Sequence, residues 1–121
     1  MLTFIEAIAR QEGFYVPGSR ANRNNNPGNI EWGAFAEEHG ATRIEACPAG
    51  ETPRFAFFPD AATGFDAMRA LLADAYSGLP VEAALNKWAP PIENQTSVYV
   101  ADVCAWTGLT PDTILNETNI G

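Results

Sequence analysis

The sequence has few basic residues, with seven Lys and Arg against 15 Asp and Glu among 121 residues, and its formal net charge is −8. A nucleic-acid partner requires a basic face that neutralises phosphates, so this composition argues against one. The same charge removes long-range attraction to any anionic polymer. If the substrate is such a polymer, we expect slow association or delivery by a carrier.

Long apolar segments are also missing from the sequence. No stretch approaches the roughly 20 apolar residues that a membrane-spanning helix needs, so we expect no membrane insertion. Near the N-terminus, Glu6 and Arg10 interrupt the apolar stretch, and no signal peptide is predicted. If the protein acts outside its cell, we expect another device to carry it or a leader to have been removed.

Cysteine is scarce, with only Cys47 and Cys104. One His and two distant Cys do not make a zinc site, and we expect no metal and no other cofactor. The two cysteines form either one disulfide or two reduced thiols. A disulfide would tie the loop around Cys47 to a predicted helix and would stabilise the fold by roughly 2–4 kcal/mol.

The length and the apolar content of 46% predict one globular domain over residues 1–121. A first helix over residues 3–12 begins with a capping box made by Thr3 and Glu6 and stops at Gly13. Residues 14–29 are predicted to be loop. Residues 30–35 and 54–58 are predicted to be short strands, with one helical turn at residues 35–39.

The second half of the chain is predicted to be helical. Asp60 is a good N-cap, and the apolar stripe that follows it indicates a helix that ends near Gly78. Further helices are predicted from residue 81 to 88 and from residue 94 to Gly108, with a final turn or short helix from residue 110 to 115. The order of elements predicts an α+β fold with a helical majority.

Glu12 is the main candidate for catalysis. It shares one face of the predicted helix with Ile5 and Ile8, so its carboxyl group points toward the core or a cleft floor. A carboxyl group there loses hydration, which favours the protonated form near neutral pH. A protonated carboxylic acid at the edge of a pocket can donate a proton to a glycosidic oxygen. The alternative is a helix-end glutamate paired with an arginine, for which the candidates are Arg10, Arg20 and Arg23.

An asparagine-rich turn follows Glu12 in the sequence. Its amides offer donors and acceptors that suit sugar hydroxyl and N-acetyl groups, and the candidates for substrate binding are Asn26 and Asn29. Asn in a Pro-Gly turn more often bonds to its own backbone. We favour this structural role for Asn24 and Asn25, and both roles stay open for Asn29.

Two further residues near the predicted first strand are candidates. Trp32 could stack on a sugar ring, although an aromatic residue in a strand is more often part of the core. Glu31 could act as a second carboxylate that stabilises an oxocarbenium ion, attacks it or positions water. If Glu31 faces away from the cleft, Glu12 works alone as acid and then as base.

Six blocks of the chain together resemble the lysozyme superfamily, and most closely small phage and bacterial lysozyme-like domains of the muramidase or lytic transglycosylase type. The blocks are EG, RNNNPGNIEWG, HGA, RFAFFP, GFDAMRALL and APPIENQTSVYVADV, at residues 12–13, 23–33, 39–41, 54–59, 64–72 and 89–103. The resemblance departs at residues 44–53, where the group has a shorter polar turn. Cys47 therefore looks like a local addition.

The resemblance implies a lysozyme-like fold and cleavage of the β-1,4 bond between N-acetylmuramic acid and N-acetylglucosamine in peptidoglycan. It implies Glu12 as the catalytic acid and a Tyr on a late helix that faces it, which is Tyr99 here; the alternative for Tyr99 is a core tyrosine. Peptidoglycan glycan strands are then the partner, met outside the cytoplasm or on a virion, by a monomer. A non-catalytic phage or secretion-system structural protein that at most binds glycan is the alternative.

Overall fold

The computed structural model describes all residues from Met1 to Gly121 and contains seven helices and one two-stranded antiparallel sheet. The elements are α1 (Phe4–Gln11), α2 (Arg20–Arg23), α3 (Ala34–Glu38), β1 (Arg43–Ile44), β2 (Ala56–Phe57), α4 (Ala61–Ala75), α5 (Val81–Trp88), α6 (Thr96–Thr107) and α7 (Glu117–Ile120). This composition confirms the predicted α+β class with a helical majority. None of the helices combines the length and apolarity that crossing a bilayer requires.

The chain divides into two compact units. The helical unit consists of Met1–Gln11 and Arg69–Gly121, and the loop-rich unit consists of Glu12–Met68.

In the helical unit, α1 packs against α6 and α7, and α5 packs against α6. The predicted capping box is confirmed: the Thr3 N–H donates to Glu6 Oε1 at 2.9 Å, and the Glu6 N–H donates to Thr3 Oγ1 at 3.2 Å. Ile5 and Ile8 are buried, as their spacing predicts. The Arg10 guanidinium lies 4.4 Å from the ring centre of Trp106, which adds a cation–π contact between α1 and α6.

The loop-rich unit holds the small sheet, in which Arg43 lies opposite Phe57 and Ile44 opposite Ala56. The predicted strand at residues 30–35 is wrong, because only Glu31 makes a single β-bridge. The following residues, AFAEE, are mostly good helix formers and continue as α3, which confirms the helical turn expected there.

A short helix interrupts the region predicted to be loop over residues 14–29. Ser19 caps α2, and its hydroxyl accepts a hydrogen bond from the Asn22 N–H at 3.2 Å. Four helical residues are too few to produce a hydrophobic period, so the sequence pattern did not reveal this helix.

The C-terminal segment contains one helix that was not predicted. Gly108 ends α6 in the left-handed conformation at φ 77°, as expected. Beyond it, Ile114 forms a β-bridge with Pro80, and the last helix is α7, capped by Asn116. The sequence predicted a turn or a short helix from residue 110 to 115, and the structure has the turn, in which the Thr113 N–H donates to the Thr110 carbonyl oxygen at 3.0 Å.

Both cysteines, Cys47 and Cys104, are free thiols, so the structure contains the reduced alternative and not the disulfide. Burial raises the pKa of the Cys104 thiol, and the nearby Glu82 carboxylate raises it further. A raised pKa leaves less thiolate at neutral pH, so we expect low reactivity at Cys104.

Gly64 allows α4 to approach the asparagine-rich turn. A Cβ atom at Gly64 would lie 2.0 Å from the Asn25 carbonyl oxygen and 2.9 Å from Pro27 Cδ. Although Gly→Ala in a helix is normally favourable by up to ~1 kcal/mol, we expect Gly64→Ala to lower the free energy of unfolding by about 1–3 kcal/mol. Gly33→Ala is the control, since its Cβ meets nothing within 4 Å. Equal urea midpoints for the two variants would contradict this close approach.

Candidate active site

Glu12 lies immediately after the end of α1, which stops at Gln11. The helix therefore ends one residue earlier than predicted. Gly13 has a φ of 81°, a left-handed conformation that turns the chain directly after Glu12. The Glu12 side chain is half-buried, so its carboxylate belongs to a partly enclosed surface rather than to a fully solvated helix face.

Asn29 holds the Glu12 carboxylate. Its side-chain N–H, on Nδ2, donates to Glu12 Oε1 at 2.9 Å. The residue adopts the left-handed conformation at φ 48°, which Asn tolerates better than most residues. Its Oδ1 atom is buried and has no hydrogen-bond partner. This hydrogen bond from a turn in the left-handed conformation fixes the orientation of the carboxyl group.

Asn26 is not a substrate-binding residue, in contrast to its prediction. The residue is fully buried. Its Nδ2 donates to the carbonyl oxygens of Ile30 and Ala56 at 2.9 and 3.0 Å, and its Oδ1 accepts from the Ile30 N–H at 2.9 Å. The amide therefore joins the asparagine-rich turn to β2, which is the backbone-bonding role typical of Asn in turns.

Asn24 and Asn25 have the structural roles expected for them. Asn25 also adopts a left-handed conformation, at φ 50°, and its Nδ2 donates to the Phe58 carbonyl oxygen at 3.0 Å. Asn24 is buried, and its Nδ2 donates to Glu45 Oε1 at 3.1 Å. These two bonds fix the turn that carries Asn29.

Glu31 is ion-paired at the surface. Its Oε1 lies 2.6 Å from Arg54 Nε, and its side chain is 60% exposed. The carboxylate that was predicted as a second catalytic group is therefore held by a guanidinium. Its assistance in catalysis remains a prediction.

Trp32 and Tyr99 complete the predicted set. Trp32 is half-buried and lies in the bend before α3 rather than in a strand, with its N–H donating to the Arg54 carbonyl oxygen at 3.0 Å. Tyr99 lies in α6 of the helical unit and is 4% exposed. A buried ring fits the alternative of a core tyrosine and leaves little surface for stacking on a sugar.

Sequence reasoning missed a buried carboxylate, Glu45, whose side chain is completely enclosed. Arg20 Nε donates to Oε1 at 2.9 Å and Arg20 Nη2 to Oε2 at 2.6 Å, which makes a two-pronged ion pair. The Asn24 amide and the backbone N–H groups of Arg54 and Phe55 donate to the same carboxylate. The Arg20 guanidinium holds the pKa of Glu45 well below its usual range, and the two backbone N–H groups lower it further.

The contacts of Glu45 connect three separate parts of the loop-rich unit. Arg20 begins α2, Asn24 begins the asparagine-rich turn, and Phe55 directly precedes β2. The carboxylate thus stabilises the turn that brings Asn29 to Glu12. The sequence carried no signal for this role, since Glu45 is a lone acidic residue inside the segment where the resemblance departs.

The residues of the chain form no cluster of His, Cys, Asp and Glu suited to a metal ion. No protein-family model matches this chain, and no curated protein is significantly similar to it. The function must therefore be inferred from the chemistry of the residues around Glu12.

Proposed function

We propose that this protein cleaves the glycan strands of peptidoglycan at the β-1,4 bond between N-acetylmuramic acid and N-acetylglucosamine, as a muramidase or lytic transglycosylase. One observation carries the proposal: a half-buried carboxylate, Glu12, whose orientation is fixed by the Asn29 amide at 2.9 Å. A positioned carboxyl group is the principal catalytic part of a glycosidase, since it protonates the leaving-group oxygen.

The surroundings of Glu31 favour a mechanism with one carboxylate. In two-carboxylate glycosidases, the second group must be free to attack the sugar or to activate water. Glu31 instead makes an ion pair with Arg54 at 2.6 Å. In the proposed reaction, Glu12 donates its proton to the glycosidic oxygen and then, as a carboxylate, accepts a proton from the attacking oxygen. If that oxygen is the 6-hydroxyl of the same sugar, the product is a 1,6-anhydro sugar.

The lysozyme-like fold is part of the proposal. It is supported by the order of elements, in which an N-terminal helix is followed by the acidic residue, a small antiparallel sheet and a series of helices. The site of action would then be outside the cytoplasm or on a virion, where peptidoglycan is accessible.

A second candidate function is a non-catalytic phage or secretion-system component that keeps the fold and at most binds glycan. The net charge of −8 favours it, because an acidic surface repels an anionic cell wall. A turbidity assay on purified peptidoglycan separates the two candidates. We expect clearing by the wild-type protein within the range of about pH 4 to 8. Sedimentation of the protein with peptidoglycan, without clearing at any pH in that range, would favour the structural candidate.

The positioning role of Asn29 gives a further prediction. Asn29→Gly keeps the left-handed turn without strain but removes the amide that orients Glu12. We expect kcat to fall by roughly ten- to a hundredfold, with KM changed less than about twofold, because misplacement of a catalytic group affects mainly the chemical step.

Asn25→Gly is the matched control for Asn29→Gly, since Asn25 has the same conformation at φ 50°. It loses the bond to the Phe58 carbonyl oxygen, which we expect to lower stability by about 1 kcal/mol without a change in kcat. A similar loss of kcat in both variants would show that the turn, and not the Asn29 amide, matters for the reaction.

A further inference from the structure

An open cavity of about 620 Å³ lies on the surface of the helical unit, lined by residues of α5, the first turns of α6, the loop between these helices and Pro111. Most of its lining side chains are exposed to solvent. This volume is within the range of small-molecule and peptide sites. All of its lining residues belong to the helical unit, whereas Glu12 and Asn29 belong to the loop-rich unit. The proposed reaction makes no use of it.

The polar groups of the cavity include a set of hydrogen-bond acceptors. Glu82, Asn86 and Asn94 all line it. The Asn86 amide donates to the Glu82 carbonyl oxygen at 2.8 Å, and the Asn94 amide donates to the Pro90 carbonyl oxygen at 3.2 Å. These bonds fix both amides through their nitrogen atoms and leave both side-chain oxygens as acceptors. The Glu82 carboxylate takes part in none of the ion pairs of the chain.

The composition of the lining selects the class of ligand. It contains one carboxylate and no Lys, Arg or His, which disfavours an anionic ligand. It contains no aromatic side chain, so a sugar ring has no surface on which to stack. An ammonium group supplies three donors and no acceptor, which matches a carboxylate and two amide oxygens. Pro91, Val100 and Pro111 offer apolar contact to the aliphatic chain that carries such a group.

We propose that this cavity binds a short peptide that carries a free side-chain amine, with the ammonium group at Glu82. The inference rests on the proposed function, since the stem peptides of peptidoglycan contain a diamino acid with such an amine. Binding of a stem peptide in the helical unit would hold the cell-wall polymer while the glycan is cleaved, and it would offset the repulsion expected from the acidic surface.

An NMR titration of the full chain tests the proposal. The probe is N-terminally acetylated alanyl-glutaminyl-lysine amide, whose lysine amine is its only charged group, and the comparison probe is the same peptide acetylated on that amine. We expect backbone shifts at the cavity-lining residues and about fivefold weaker binding of the doubly acetylated peptide, the ratio expected for one exposed charge pair. Equal affinity for the two peptides, or shifts confined to other residues, would overturn the proposal.

Two variants make the test specific for the cavity. Glu82→Gln should weaken binding of the free-amine peptide by about the same fivefold factor. Glu117→Gln removes an identical charge from an exposed position outside the lining and should leave the affinity unchanged. Equal effects of both variants would reduce the result to net charge and overturn the assignment.

The outcome is independent of the cleavage assay. Amine-dependent binding by a protein that does not clear peptidoglycan would support the cavity assignment and reject the cleavage reaction. Clearing of peptidoglycan without amine-dependent binding would support the cleavage reaction and reject the cavity assignment.

Discussion

Glu12→Gln is expected to reduce the rate of peptidoglycan clearing by roughly 10²–10⁴-fold, the usual contribution of a general acid. Gln has nearly the same shape as Glu, and its side-chain oxygen can still accept the bond from Asn29, so the local structure should persist. What the variant loses is the proton that the leaving-group oxygen requires. The rate of clearing and the thermal melting curve, measured on the same preparation, separate loss of chemistry from loss of folding.

Glu31→Gln is the informative companion to that variant. If Glu12 works alone, removing the exposed ion pair with Arg54 should change the rate by less than about threefold, because surface pairs contribute little. A large loss of clearing rate in Glu31→Gln would instead identify Glu31 as the second catalytic carboxylate. Retention of more than about a tenth of the wild-type rate by Glu12→Gln would move the catalytic acid elsewhere, with Glu31 as the first candidate.

The second large effect concerns stability. Glu45→Gln should lower the free energy of unfolding at neutral pH by about 2–4 kcal/mol, because it leaves Arg20 without its partner and weakens several charge-assisted hydrogen bonds. We do not expect the largest losses of stability that follow from breaking a buried ion pair, since the Arg20 side chain is 34% exposed and keeps some hydration.

Glu51→Gln is the matched control for Glu45→Gln. Glu51 also pairs with an arginine, Arg23, but at 3.8 Å and with side-chain exposures of 51% and 39%. We expect a change within about 0.5 kcal/mol, since an exposed pair of this length contributes little. Equal urea midpoints for the two variants would contradict the role assigned to Glu45.

The ion pair also predicts how stability depends on pH. The pKa of Glu45 is lowered in the folded protein, chiefly by Arg20, whereas in the unfolded chain it stays near 4.5. The unfolded chain therefore binds the proton first as the solution becomes acidic. The stabilisation is complete above the unfolded pKa and is lost progressively as the pH falls toward the lower folded pKa. The difference in stability between wild type and Glu45→Gln should shrink below about pH 4.5 and remain constant between about pH 6 and 8.

The sequence predicted those parts of the fold that depend on neighbouring residues. The capping box of Thr3 and Glu6 and the N-cap of Asp60, which accepts from the Thr63 N–H at 2.8 Å, are both local hydrogen-bond patterns. The end of α6 at Gly108 was also predictable, because it depends only on the left-handed backbone conformation of this one residue. Such features extend over three or four residues, which is the range that periodicity and capping rules describe.

The parts that were missed depend on residues far apart in the chain. Glu45 bonds to Arg20, which lies 25 residues earlier, and no local pattern indicates that pairing. The sequence suggests that Asn26 binds sugar, because nothing in it indicates the hydrogen bond from Asn26 to the carbonyl oxygen of Ala56, 30 residues later. The bond between Asn29 and Glu12 spans 17 residues and was open to either a structural or a functional interpretation. Long-range polar contacts therefore decide which asparagines are structural.

Mass spectrometry of the fragments released from purified peptidoglycan tests the central claim most directly. The wild-type protein is predicted to release soluble disaccharide–peptide fragments, with 1,6-anhydro-muramic acid ends if Glu12 works alone, and Glu12→Gln is predicted to release none above background. Release of the same fragments by both proteins, or no release by the wild type anywhere between about pH 4 and 8, would contradict the assignment of Glu12 as the acid of a glycan-cleaving enzyme.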